Sequence, residues 1–321
     1  MKVLFVSSGR KGVVGDVVGN QGKSLEKEGI DLDYFIIKSG IWGYIGSVTK
    51  LRKVFLEGSY DLVHAHYSLS GYIAGLAGCK PLVVSLMGSD VYTSGFSRKI
   101  IRFFIRNRWN SSIVKTRQMK ECLGIESVHV IPNGVNIDKF KPIPREIARE
   151  HIGYKEDKKL ILFIAVKNRE EKNIDLALEA VKHLNDKNID FKHIYDAPNS
   201  EIPYYLNAAD VLLLTSRREG SVNVVKEALA CNCPVVATDV GDIAWLLKDL
   251  EGCYITTYYP LDVADKILAA LYIGRLTNGR DRIVDLGLDS HNVSTSIIRL
   301  YEKLVKKDTK LKGRIYNSIK P

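Results

Sequence analysis

The chain has 321 residues, 45% of them hydrophobic, with 47 Lys+Arg against 37 Asp+Glu and a formal net charge of +10 at pH 7. That length exceeds what one hydrophobic core usually organises, so two domains of ordinary size are expected. No apolar run approaches the roughly 20 residues of a membrane span, MKVLFVSSG is too short for a signal peptide, and five cysteines without a C-x-x-C pair speak against a disulfide framework or a zinc site. A cytoplasmic protein with reduced, buried thiols is the expectation.

In chain order, Lys2 to Ser8 is a short apolar run of the buried-strand kind, followed by a loop with Gly9, Gly12 and Gly15 and by a helix that includes NQGKSLEKEG. This βα opening lacks the spacing G-x-G-x-x-G, so nicotinamide binding is not indicated. Further strands are expected at Asp31 to Ile37, Asp61 to His66, Pro81 to Gly88 and Ser127 to Val135, most of them separated by helices. Such alternation predicts a parallel sheet covered on both faces, with sites beyond the carboxyl ends of the strands. His66, Ser89 and Asp90 fall on that side. Residues 1 to 145 carry 21 Lys+Arg against 11 Asp+Glu, while the remainder carries 26 of each. Much of the excess lies in Ser97 to Lys120, which has eight cations, no acid, and Ile100, Ile101, Phe103, Phe104 and Trp109 interleaved. The stretch reads either as a basic amphipathic helix suited to an anionic membrane surface or as an ordinary helix with one face in the core. Pro142 and Pro144 mark a linker, so a first domain over 1–145 is expected.

The second half opens on an apolar strand from Leu160 to Val166, a basic loop carrying Arg169 and Lys172, and an amphipathic helix from about Asn173. Asp210 to Ser216, DVLLLTS, is another buried-strand run, and Val224 to Cys231 has helical spacing. Glu219, Gly220, Ser221 and Asn223 therefore sit at a strand-to-helix turn. Backbone N–H groups at a helix N-terminus lack intrahelical partners and carry the positive end of the dipole, which favours a diphosphate there. Glu227, one turn further on, can accept hydrogen bonds from vicinal hydroxyls.

The pattern E-G-x-x-x-x-x-x-E-A from Glu219 to Ala228, followed by PVVATDVG, resembles the donor-binding signature of the retaining glycosyltransferases of group 1, family 4. The resemblance implies an α/β fold of two Rossmann-like domains facing across a cleft, the GT-B architecture, with a donor domain over 146–300 and a tail over 301–321 that folds back on the first domain. It implies that Glu219 faces the donor sugar, that Glu227 holds the ribose hydroxyls, and that Arg169 and Lys172 grip the diphosphate. Gly220, Ser221, Val222, Asn223 and Val224 would then form the donor loop and first helical turn. Gly12 and Gly15 would lie near the donor phosphate, a plain tight turn being the alternative. The donor would be a nucleotide sugar, a UDP-sugar by preference and a GDP-sugar otherwise, with no metal and no further cofactor. The acceptor would be a glycan or a lipid-linked glycan in polysaccharide or glycolipid synthesis, with the protein peripheral on the inner face of the cell membrane.

Two departures from the family stand out. Many members have a histidine after the strand that reads VVSLMG here, whereas this chain has Met87; His66 and Asp90 are the candidates for contacts to sugar or acceptor. Residues 188–210 also replace a longer strand, helix and strand of the family, which shortens the donor domain where a nucleobase could be held. A nucleotide-sugar epimerase of the same build and a non-catalytic basic binding protein remain as alternatives, and no nucleic-acid motif accompanies the charge.

Overall fold

The computed structural model describes residues 1–9, 12–38, 40–155, 157–167, 169–275 and 277–319. The chain divides into two compact units, Met1–Asn133 together with Ser290–Pro321, and Gly134–Asp289.

The first unit contains β1 (Lys2–Gly9), α1 (Asp16–Lys27), β2 (Asp31–Lys38), α2 (Ile41–Glu57), β3 (Leu62–His66), α3 (Ser68–Leu76), β4 (Leu82–Ser85), α4 (Gly95–Asn107), β5 (Ser111–Val114), α5 (Arg117–Leu123) and β6 (His129–Val130). The second contains α6 (Arg145–His151), β7 (Lys159–Ile164), α7 (Ile174–Leu184), β8 (Ile189–Ile194), α8 (Ile202–Ala208), β9 (Val211–Leu214), α9 (Asn223–Ala230), β10 (Val235–Thr238), α10 (Ile243–Leu247), β11 (Tyr254–Thr256), α11 (Pro260–Ile273) and α12 (Gly279–Asp285). The long α13 (Ser290–Ile319) returns to the first unit. No helix among the described residues is long and apolar enough to cross a membrane.

Both sheets are parallel, with strand orders β2-β1-β3-β4-β5-β6 and β11-β10-β9-β7-β8. Their strands read as continuous apolar runs because helices cover both faces. Along β1, Val3 and Phe5 pack toward α1 and α13 while Leu4 and Val6 pack toward the opposite layer, where Ile73, Ile101 and Trp109 lie. Along β9, Val211 and Leu213 join the core under α7 and α11, whereas Leu212 and Leu214 join the one under α8 and α9. In each sheet the direction of strand succession reverses once, between β1 and β3 and between β7 and β9. Open α/β sheets receive ligands beyond the strand ends at that reversal.

The structure corrects several sequence expectations. Ser97 to Lys120 is not one helix, since α4 ends at Asn107 and the chain then makes β5 and α5. Trp109 drops into the core, its Nε1 donating to the Gly71 carbonyl at 3.0 Å, and all four residues of β5 are buried. Lys115, counted among the surface cations, is 1% exposed. The expected strand over Ser127 to Val135 shrinks to His129–Val130. Units divide at Asn133 and Gly134 rather than at 145, because Val135 and Phe140 belong to the second core and the Val135 amide donates to the Leu288 carbonyl at 2.9 Å. They divide again before Ser290 rather than at 300. Val293, Ile297, Leu300 and Tyr301 of α13 are buried in the first core, and the Tyr301 hydroxyl lies 2.5 Å from Nδ1 of His64, whose Nε2 is 2.8 Å from the Ser85 hydroxyl. Residues 188–210 supply one edge strand, β8, and the short helix α8.

Candidate functional site

At the strand reversal of the second sheet, the loop after β7 and the loop after β9 meet. The Lys172 ammonium forms an ion pair with Oε1 of Glu219, and the two side chains are only 20% and 17% exposed. The same oxygen accepts the Ser216 hydroxyl at 2.8 Å. Glu219 Oε2 accepts no hydrogen bond from the described residues.

The two loops are tied together by backbone contacts. Thr215 Oγ1, at the end of β9, is 2.8 Å from the carbonyl of Asn173 and 3.1 Å from that of Lys172. Asn173 takes the left-handed conformation at φ 54 that ends the turn and opens α7. The Arg217 amide donates to the Glu171 carbonyl at 2.8 Å, and its guanidinium reaches Asn173 Oδ1 at 3.2 Å. Lys172 is thus held from both sides before any ligand arrives.

The loop from Glu219 into α9 is fixed from below. Asp242, 7% exposed, accepts the Ser221 hydroxyl at Oδ2 (2.8 Å) and the Val222 amide at Oδ1 (3.1 Å). Gly241, at φ +63, lies so close that a Cβ on it would stand 2.1 Å from the Gly220 carbonyl oxygen. Val222 is the N-cap residue of α9, is buried, and makes no side-chain cap bond. Glu227 is half-buried one turn on.

Arg169 is placed differently from Lys172. Its guanidinium pairs with Glu171 within its own loop and is 54% exposed. Sequence reasoning missed two other cations. Lys167, the first basic residue after β7, sets its ammonium 3.7 Å from the centre of the Tyr195 ring at the end of β8. Lys226, in α9, is 1% exposed. The first could have been found as the cation nearest the strand end; the second carries no sequence signal beyond a charge between apolar neighbours.

In the first unit, Gly12 takes φ +78 and Gly15 is the N-cap residue of α1, both in the loop after β1 at that sheet's strand reversal. His66 is fully buried, stacked 4.3 Å from His64, and neither ring nitrogen has a partner among the described residues. Burial first, and then the charge of Lys115, pushes its pKa down to about 3. Asp90 is a cross-link: Oδ1 accepts the Ser68 amide at 2.9 Å and hydroxyl at 2.7 Å, and Oδ2 accepts the Met87 amide at 2.8 Å. Its carboxylate braces the start of α3 against the turn after β4. Among the described residues no group of three His, Cys, Asp or Glu side chains could hold a metal ion.

Comparison with known proteins agrees with this geometry. Residues 158–272 match the family described as Glycosyl transferases group 1, and residues 10–139 match Glycosyltransferase Family 4. TuaC of Bacillus subtilis, designated a teichuronic acid biosynthesis glycosyltransferase, is 31% identical over 215 residues, 58% of this chain and 55% of that protein. The D-inositol 3-phosphate glycosyltransferase of Xylanimonas cellulosilytica is 28% identical over 270 residues, 67% of this chain and 64% of that one. The chain therefore spans less than two thirds of the length of either relative. Among solved structures, sucrose-phosphate synthase from Thermosynechococcus elongatus superposes with a TM-score of 0.81 at 18% identity, covering 95% of this chain and 99% of that one. Anabaena HepE, solved with UDP and glucose, gives 0.69 at 18% identity over 95% and 100%. With one family match in each unit and this likeness of fold, the chain belongs to the group 1, family 4 glycosyltransferases and has the GT-B fold.

Proposed function

We propose that the protein transfers a sugar from a nucleotide-sugar donor to an acceptor hydroxyl, with retention of anomeric configuration and without a metal. The observation that carries this is the Lys172–Glu219 pair at the strand reversal, beside the uncapped start of α9. A donor entering there would exchange partners with the pair. Its diphosphate would take the Lys172 ammonium and the first-turn N–H groups, while a sugar hydroxyl would donate to the carboxylate of Glu219. Glu227 would accept from the ribose hydroxyls, and Ser221 and Gly220 would line the approach.

As the acceptor oxygen forms its bond to the anomeric carbon, the bond from that carbon to the diphosphate breaks. The electron pair leaves with the nucleoside diphosphate. Attack on the face the diphosphate leaves accounts for retention, and the departing phosphate oxygen takes the acceptor's proton. Lys172 and the α9 terminus would stabilise the charge that develops on the leaving group, a contribution of about 3 to 4 kcal/mol for one well-placed donor. Lys167 adds a second cation near the same strand ends. We favour a UDP-sugar, since UDP is bound in the HepE structure, and a glycan or lipid-linked acceptor in polysaccharide synthesis, the setting in which TuaC is named. The exposed face of α4 would hold the protein at the inner, anionic surface of the cell membrane.

Thermal unfolding with a panel of UDP-, GDP- and ADP-sugars tests the donor site. A matching donor at 100 times its dissociation constant stabilises the fold by about 2.7 kcal/mol, and Glu227→Ala should remove that gain. Lys172→Ala should lower kcat by about 100-fold or more. Wild-type kinetics in both variants would refute the assignment.

A further inference from the structure

On the face of the second sheet that carries α7 and α11, a hollow of about 540 Å³ opens at the carboxyl ends of the strands. There the start of α7, the loop after β9 and the turn from β11 into α11 meet. Ordinary ligand sites occupy roughly 300 to 1,000 Å³, so the hollow is of a useful size. Asp175 and Glu179, four residues apart on one face of α7, line it together with Arg217 and the rings of Tyr258 and Pro260.

Its walls are fixed by bonds of their own. Tyr258 is 51% exposed, yet its hydroxyl donates to the Ser216 carbonyl at 3.1 Å, which holds the ring as a platform. The turn that carries this ring is pinned by Asp262, whose Oδ2 accepts the Thr257 amide at 2.7 Å and the Thr256 and Thr257 hydroxyls at 2.9 Å. Pro260 stiffens the first turn of α11. Arg217 is oriented by its 3.2 Å bond to Oδ1 of the buried Asn173. A site already in order gives up little freedom when it is filled.

The lining suits a sugar chain. A pyranose ring presents C–H groups on its faces, which pack on the electron-rich face of an aromatic ring. Hydroxyls around its rim donate to carboxylates and accept from a guanidinium. Two acids against one cation also discriminate: neutral sugars are admitted, whereas uronates and phosphates meet like charge. The hollow backs onto the donor loop as well. Ser216 receives Tyr258 on its carbonyl, and its hydroxyl donates to Oε1 of Glu219 at 2.8 Å.

We propose that this hollow is a second saccharide site, in which an uncharged stretch of the acceptor glycan lies on the Tyr258 ring beside the donor loop. The inference rests on the glycan-acceptor reading above. A chain tethered there raises the local concentration of its own end.

The test is calorimetric titration of the full chain with maltohexaose, laminarihexaose and chitohexaose, with an oligogalacturonate of the same length, and separately with UDP. At least one neutral hexasaccharide should bind the wild type, and the oligogalacturonate should bind about tenfold more weakly or not at all. Tyr258→Ala should weaken the neutral ligand about tenfold, the scale of one lost aromatic anchor, while Tyr258→Phe, which keeps the ring, should retain most of the affinity. Asp175→Asn with Glu179→Gln should narrow the gap between neutral and acidic chains, a change that loss of packing alone would not produce. Binding of UDP without Tyr258-dependent binding of any neutral hexasaccharide would overturn this proposal alone, as would equal affinity for acidic and neutral chains in the wild type. Tyr258-dependent saccharide binding by a chain that takes no UDP would overturn the donor-site reading and leave the hollow as a saccharide site.

Discussion

Glu219 holds Lys172 and Ser216 on one oxygen, so a single carboxylate keeps the lysine in place with an oxygen to spare, the one that would take a sugar hydroxyl in the proposed donor site. His66 shows the opposite economy, a polar ring with both nitrogens idle in the first core. Its pKa in the folded chain is about 3 against an ordinary 6.5, so between those values the unfolded chain binds a proton that the folded chain refuses. Stability is accordingly full above pH 6.5 and is lost as pH falls toward 3, at about 1.4 kcal/mol per pH unit for one such group. His64, displaced in the same direction by burial, adds to the trend. His66→Leu should flatten the acid limb of the first unit's urea-unfolding stability by about that slope; an unchanged slope would mean that His66 is not buried neutral in solution.

At the level of elements, α4 separates its charges by task. Arg98 reaches the Cys122 sulfur, and Arg102 donates to the Leu123 and Cys122 carbonyls at 2.7 and 3.2 Å, so both tie α4 to the end of α5. Lys99, Arg102, Phe103, Arg106 and Asn107 line an open hollow of about 520 Å³ with Gly124, and Phe96 and Phe103 are 74% and 54% exposed. Spacings of three and four put these groups on one helical face. Lys99→Glu with Arg106→Glu should therefore reduce co-sedimentation with vesicles containing anionic lipid, by a factor set by about 1 kcal/mol per lost cation near the surface, and should leave nucleotide binding unchanged. Equal retention of variant and wild type would remove α4 from the membrane reading. Strands β1, β3, β4, β7, β9 and β10 were legible in sequence because each is a bounded apolar run, and the turn that leads from Glu219 into α9 because it lies between the β9 run and a segment of helical spacing. What sequence did not reveal depends on contacts made at a distance. Ser111–Val114 looked like the middle of a basic helix because its neighbours are cations, and only the descent of Trp109 into the core turns it into a strand. Arg169 and Lys172 look equivalent in a row of charges; it takes the β9 loop to give Lys172 its acid and leave Arg169 to Glu171.

For the whole molecule, α13 matters more than its place at the edge of the sequence suggests. Val293, Ile297, Leu300 and Tyr301 are 0 to 7% exposed in the core of the first unit, and burying side chains of this size is worth about 1.5 to 3 kcal/mol each. Their sum is comparable with the 5 to 15 kcal/mol that holds a typical domain together. A chain ended at Asp289 should therefore lose the cooperative unfolding of the first unit in calorimetry while the transition of the second survives; retention of both transitions would show that α13 only decorates the sheet. The same connectivity bears on synthesis. Translation delivers Gly134–Asp289 as one uninterrupted stretch, complete before the ribosome has read the codons for the helix that closes the unit begun at Met1. Domains made in tandem tend to fold in the order they emerge. Here the order is inverted: the nascent amino-terminal half must wait with the part of one sheet face beside α1 uncovered, and a chaperone that shields apolar surface has its longest opportunity there.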